Sequence, residues 1–233
     1  MKLVQNMRAD PNEKAFAKEI VEIGNGSKND IDDKVELPKE CITKKPLHDV
    51  VFKEVIENKD WKSLAKRAIL SPYNYDVDKS NEKVLSMVPG DMRIFYSHDK
   101  QAETDQAPRL PEEVLSTFNC AGLPPNQLKL KVEAIIMLLR NLILQKGLCN
   151  GTRLQIIKMF NHLLQCMIVS GDKAGDVIFL PRITLVDNEH FGCELHRKQF
   201  PVKLAFSMTI NKSQGQTLQY VGLDLSRDVF SHG

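Results

Sequence analysis

"PVKLAFSMTINKSQGQTLQYVGLDL", residues 201 to 225, decides how the chain reads. Two strand-like apolar runs, "PVKLAF" and "YVGLDL", flank the polar stretch "TINKSQGQTL" at residues 209–218. Buried strands are ordinarily joined by turn residues or by an amphipathic helix. This connection has neither an Asn-Gly or Asp-Gly turn signal nor a full helical apolar stripe. It is a dense set of hydrogen-bonding groups at the end of a strand, and open α/β sheets bind ligands at the carboxyl ends of their strands. The plain alternative is a strand-to-helix connection whose N-terminus is capped by Thr or Asn.

Working outward, "ADPNEKAFAKEIVEIGNG" predicts a helix opened by Asp10 and Pro11, striped by Phe16, Ile20 and Ile23, and closed by Gly24. A polar loop from Asn25 to Lys39 leads to a short edge strand around Val35, and "PLHDVVFKEVIEN" reads as a second amphipathic helix. Ala68 to Leu70 form a buried strand, "SPYN" turns, Asn74 can cap, and Val77, Val84, Leu85 and Val88 give the next helix its apolar face. "RIFYSHD" is a further strand, and residues 99–126 shift to Gln, Glu, Pro and Asn, the composition of a linker. Beyond it "LKLKV", "TRLQIIKMF", "LQCMIVSG" and "GDVIFLPRITLV" are short strands separated by turns, which suggests a small β-barrel or sheet. "AIIMLLRNLIL" suits a buried strand or a helix equally. The whole is α/β with an all-β insertion, a pattern shared by many unrelated functions.

The chain carries 32 Lys and Arg against 30 Asp and Glu, a net charge of +2. Between Gly122 and Leu218 there are 12 basic and 6 acidic residues, so the basic excess sits in the half that holds the polar loop. A polyanion-binding surface requires that asymmetry. Five separated cysteines with no C-x-x-C pair predict reduced thiols. With no signal-peptide core at the start and no apolar run long enough for a bilayer, the sequence predicts a soluble protein, nuclear or cytoplasmic, with no membrane partner. His190, Cys193 and His196 stand at three-residue intervals, with His162 or Cys166 available as a fourth ligand. Structural zinc takes four ligands in recognisable pairs, so a polar surface loop is the better reading and no metal is expected.

Taken in order, "NMRAD…AFAKEIVEIGNG", "AILSPYNYDVDKSNEKVLSMVPGD", "GLPPNQLKLKV", "LLRN…GLCNGTRL" and "QFPVKLAFSMTINKSQGQTL…VGLDLSRDVFSHG" resemble the second half of Pif-type superfamily 1 DNA helicases, most closely the version carried by Helitron transposons. The resemblance implies the second RecA-like motor domain of the P-loop NTPase type, over residues 1–118 and 200–233, with a β-rich insertion over 119–199. It implies an ATP-dependent DNA helicase, with ATP and Mg2+ as cofactors of the full-length enzyme and single-stranded DNA as partner. Thr209, Asn211, Lys212 and Ser213 would meet DNA phosphates, which position a strand without reading its sequence. Ser71 and Asn74 match positions that touch the DNA backbone, although this chain has Ser and Tyr where relatives commonly have Thr and Lys. Gln214 and Gly215 would face the nucleotide, and Arg8, in "QNMRA", would be the arginine finger on the γ-phosphate.

The departures are equally specific. No glycine here is followed by lysine, so the loop that cradles the β- and γ-phosphates is not in this sequence. No apolar run leads into Asp-Glu, so the Mg2+-holding acid and the water-activating Glu are missing as well. The expectation is that the first motor domain is a missing N-terminal partner and that this chain alone is inactive. Two readings stand: a fragment of an ATP-dependent helicase, or a catalytically dead transposon-derived remnant that at most binds single-stranded DNA.

Overall fold

The computed structural model describes residues 14–32, 34–102, 110–118, 122–187, 194–227 and 229. The chain divides into two units, one of Met1–Lys44 with Phe230–Gly233 and one of Lys45–Val229.

In the first unit, helix α1 (Lys14–Gly24) carries the expected stripe, but Phe16, Ile20 and Ile23 are all exposed. Asp10 and Pro11 lie outside the described residues. The edge strand expected near Val35 does not form among the described residues. Asp30 Oδ1 accepts the backbone N–H groups of Asp32 and Lys34, both at 2.9 Å, so a local turn takes donors a ladder would have used. A 3-10 turn follows over Lys39–Cys41.

The second unit opens with a π-helical turn over Asp49–Lys53 that continues into α2 (Glu54–Glu57). Then come α3 (Trp61–Leu64), β1 (Arg67–Ser71), α4 (Asn74–Met87), β2 (Arg93–Tyr96), β3 (His98–Gln101), α5 (Glu112–Ser116) and β4 (Gln127–Leu130). The remaining strands are β5 (Ile135–Leu138), β6 (Arg153–Met159), β7 (Leu163–Ile168), β8 (Val177–Pro181), β9 (Ile183–Asp187), β10 (Leu195–Gln199), β11 (Val202–Leu204), β12 (Ser207–Thr209) and β13 (Tyr220–Leu223).

β1 is the centre of a parallel three-stranded sheet ordered β12-β1-β13. Parallel strands need cover on both faces. The helical segment before β1 supplies some of it through Val51 and Phe52, whose ring meets Phe206 edge-on at 5.8 Å, and α4 supplies more through Val77, Val84 and Leu85. β5 is buried along its whole length between β11 and β6 in a five-stranded antiparallel sheet ordered β11-β5-β6-β7-β8. That resolves the ambiguous run "AIIMLL": a central strand covered on both faces loses its alternation.

"RIFYSHD" is two strands, not one. β2 pairs antiparallel with β4, and β3 with β10, which also pairs with β9. Part of the stretch that reads as a linker is likewise held in place. Arg197 and Asp99, opposite each other across β10 and β3, form a fully buried ion pair at 2.7 Å. The same guanidinium donates to Pro124 O at 3.2 Å and Leu115 O at 3.1 Å, fixing α5 and the approach to β4. Leu115, Leu123, Leu185 and Leu195 form a small second core there. Among the described residues no helix is long and apolar enough to cross a membrane.

Candidate nucleic-acid interface

The register of β1 on β12 pairs Ser71 with Thr209, so the "SPYN" and "TINKSQG" motifs leave the carboxyl ends of adjacent parallel strands. The third strand ends at the same edge, where Asp224 N donates to Leu70 O at 2.8 Å. Arg227 follows, 3.5 Å from Asp76 and with its guanidinium 5.4 Å from the Tyr75 ring centroid. The sequence reading did not single out Arg227, because its place at the edge depends on β13 lying beside β1.

The polar loop is a 3-10 turn over Ile210–Ser213 followed by a tight turn. Gln214 at φ −59 and ψ 126, Gly215 at φ +80 and the bond from Gln216 N to Ser213 O at 2.9 Å make that turn type II. Gly215 is therefore accounted for by backbone geometry: its position needs positive φ, which an L side chain rarely adopts. Thr209 stands at the N-cap position of the 3-10 turn without a side-chain capping bond, so the capped connection does not form. Asn211, Lys212, Gln214 and Gly215 are exposed. Ser213 Oγ donates to Ile210 O at 2.6 Å, which commits its proton to the turn.

Ser71 is fully buried and its Oγ has no hydrogen-bond partner among the described residues. Asn74 is exposed as the first residue of α4, but the N-cap is Tyr73 and no side chain caps that helix. The capping role expected of Asn74 is thus corrected. Its amide is placed one residue too late to accept from the N-terminal N–H groups as a cap does. Arg8 lies outside the described residues.

Lys203, on β11, is a member of this neighbourhood that the sequence reading passed over. Burial pushes its ammonium below the usual lysine range, Asp78 pulls it back up, and Lys212 pushes it further down. Asp78 is raised by burial, with Lys203 opposing. A lysine inside the apolar run "PVKLAF" was the available signal, since buried strands rarely hold one without a partner.

The two most specific sequence motifs touch. Gln216 Nε2 donates to Gly151 O at 2.9 Å, joining "SQGQT" to "LCNGTRL". In the latter, Thr152 Oγ1 donates to Gly147 O at 2.8 Å and accepts from Cys149 N at 3.1 Å. Arg153 then carries a buried guanidinium to the carbonyls of Ala65 and Arg67, each at 2.9 Å, and Ala205 at 3.1 Å. Of the candidate metal ligands, His190 and Cys193 lie outside the described residues, and His196 pairs with Glu194. Burial pushes the Cys166 thiol up to about 12, the behaviour of a core residue. Among the described residues no cluster of three metal-ligating side chains occurs.

A parallel sheet with polar loops at its carboxyl edge, beside an antiparallel β-rich segment, defines a protein of the α/β class. Residues 113–159 match the family described as "DNA helicase Pif1, 2B domain". The chain is 35% identical over 164 residues to the ATP-dependent DNA helicase PIF1 of Xenopus laevis, covering 70% of this chain and 24% of that protein. It is 34% identical over 168 residues to the human protein of the same name, again covering 70% and 24%. Of the solved structures, Pif1 helicase from Candida albicans superposes with a TM-score of 0.58 at 20% identity, covering 93% of this chain and 48% of that one. Bacteroides Pif1 bound to single-stranded DNA gives 0.52 at 22%, covering 80% and 44%. Residues 113–159 thus match the Pif1 2B domain, and 70% of the chain is similar to Pif1 helicases. It spans about a quarter of the length of the curated relatives it matches, 24% of each.

Proposed function

We propose that this region serves an ATP-dependent DNA helicase, holding single-stranded DNA at the carboxyl edge of the parallel sheet. The observation that carries the reading is the Ser71–Thr209 register, which sets two polar motifs side by side at that edge. Lys212, with Asn211 and Thr209, offers donors to phosphate oxygens. Asn74 extends the same edge, while Ser213 braces the turn through Ile210 O and the buried Ser71 would contact DNA only if the edge loosens. Lys203 adds charge behind Lys212.

ATP and Mg2+ belong to the full-length enzyme in this reading. Gln214 and Gly215 are exposed and fit one wall of a nucleotide site, and Arg8 would be the finger on the γ-phosphate. Bound ATP would supply the free energy for translocation. The residues that cradle its phosphates are not in this sequence, so no hydrolytic step is assigned to this chain alone.

Phosphate contacts release counterions, so affinity for single strands falls with salt at a slope of roughly 0.7 per contact. Fluorescence anisotropy on labelled oligonucleotides of unrelated sequence, at several salt concentrations, is the test. Lys212→Ala is expected to weaken binding alike for every sequence and to lower the slope by about 0.7. A variant that binds as the parent does at every salt concentration overturns the assignment.

A further inference from the structure

The outer face of β6, β7 and β8 has a composition its packing does not explain. Cross-strand register places Lys158, Gln165 and Phe179 in one row and Gln155, Met167 and Val177 in another. A third row is set by the hairpin end, where Phe160 N donates to Leu163 O at 2.8 Å and Leu163 stands opposite Pro181. Because side chains alternate along a strand, all three rows share one face. The opposite face, with Leu154, Ile156, Leu164, Cys166, Ile168 and Leu180, is buried. On the outer face Phe179 is 56% exposed and Phe160 40% exposed, and Lys158 Nζ sits 5.1 Å from the Phe160 centroid.

The charge is one-sided. From Arg153 to Gly171 and from Val177 to Val186 the sequence holds no carboxylate, Asp172 and Asp176 lying in the turn between. Lys158 and His162 fall in the first segment, while the Arg182 guanidinium turns away to Tyr96 O and the Phe95 and Phe200 rings. Arg93 adds a guanidinium at the hairpin end, donating to Met159 O at 2.9 Å and to Asn161 Oδ1 at 2.8 Å. Glu133, bonded to Gln155 at 2.6 Å, lies toward the other end. Exposed aromatic rings beside a lysine, with the acids confined to the far end of the face, are the chemistry of a base-stacking platform, since every base has a π-face and every nucleotide a phosphate.

We infer that this face is a second single-stranded nucleic-acid contact, with bases stacked on Phe160 and Phe179 and a phosphate taken by Lys158. Two strand spacings and two residue rises put the Cα atoms of Phe160 and Phe179 about 12 Å apart, which suits two bases along one strand and not one base held between the rings. The inference takes its ligand class from the function proposed above but not its site. The carboxyl-edge loop would grip the backbone, and this face would grip bases.

The test compares a thymidine oligonucleotide with an abasic one of equal length at fixed low salt. Phe179→Ala is expected to weaken thymidine binding about fivefold or more, to leave abasic binding unchanged and to preserve the salt slope. Phe179→Trp is expected to keep affinity, with emission quenched by the thymidine oligonucleotide beyond any change at Trp61 and not by the abasic one. Lys212→Ala should weaken both oligonucleotides, so a failure at one site is told apart from a failure at the other. The inference is overturned if Phe179→Ala binds thymidine as the parent does, if it weakens both oligonucleotides equally, or if Phe179→Trp is not quenched. It is also overturned if sedimentation shows a dimer of this chain that Phe179→Ala abolishes, because the face then serves a second copy.

Discussion

Arg153 takes a positive charge into the core and donates, among the described residues, to three backbone carbonyls from the two ends of β1's approach and the β11–β12 link rather than to a carboxylate. Burial lowers its pKa to about 10, so it stays charged at neutral pH. The folded pKa is depressed, hence the cost of burying the charge is fully present below about 10 and fades as pH rises toward the unfolded value. The bonds nevertheless matter more than the cost, because deleting the guanidinium strands buried carbonyls. Arg153→Ala is expected to lower stability at pH 7 by about 3 kcal/mol or more, read as the midpoint of urea unfolding. Arg153→Lys should rescue little of it, since the three donors of an ammonium sit on one nitrogen and cannot span the carbonyls that two separate guanidinium nitrogens reach. A midpoint unchanged in both variants would refute the staple. "LCNGTRL" was legible as a signal, yet this role was not: the partners lie 52 to 88 residues away in sequence.

At the scale of elements, β13 can lie against β1 only because residue 222 is glycine. A Cβ there would stand 2.8 Å from Val51 Cγ2 and 3.5 Å from Ile69 Cγ1. Val51 is buried and β-branched, so it cannot swing aside. Gly222→Ala is expected to cost about 1–3 kcal/mol by overpacking, and Val51→Ala added to it should cost less than Val51→Ala does alone. Equal costs in both backgrounds, by the same urea titration, would mean the helix does not press on this strand. Local pattern made most strands and α4 readable, because period and length are local properties. It missed what depends on partners: that "RIFYSHD" divides between two sheets, that Asp30 diverts the expected edge strand into a turn, and that Arg197 holds the stretch resembling a linker. The candidate site divides the same way. The polar residues were visible, whereas the type II turn at Gln214–Gly215, the burial of Ser71 and the arrival of Lys203 and Arg227 follow from tertiary placement.

Over the whole molecule, charge and chemistry separate. Residues 122–218 hold twice as many basic as acidic residues, 12 against 6, and Lys212 and Lys158 both fall within that span, with Ser71 and Asn74 outside it. The proposed binding of a nucleic acid therefore draws only on residues of this chain. Hydrolysis needs more: most of the catalysis of phosphoryl transfer is electrostatic stabilisation from a phosphate-cradling loop, a metal and the acid that holds it. In the proposed reading Gln214, Gly215 and Arg8 would complement such a centre without replacing it, because none of them is assigned to hold the metal or enclose the β- and γ-phosphates. The 233-residue chain is accordingly expected to release no phosphate from ATP above background, with or without single-stranded DNA, while still binding the DNA in a salt-dependent way. Phosphate release and anisotropy measured on one preparation check both halves of the statement. DNA-stimulated release that Arg8→Ala abolishes would show that these residues assemble a hydrolytic centre by themselves, and the division between grip and turnover would then be wrong.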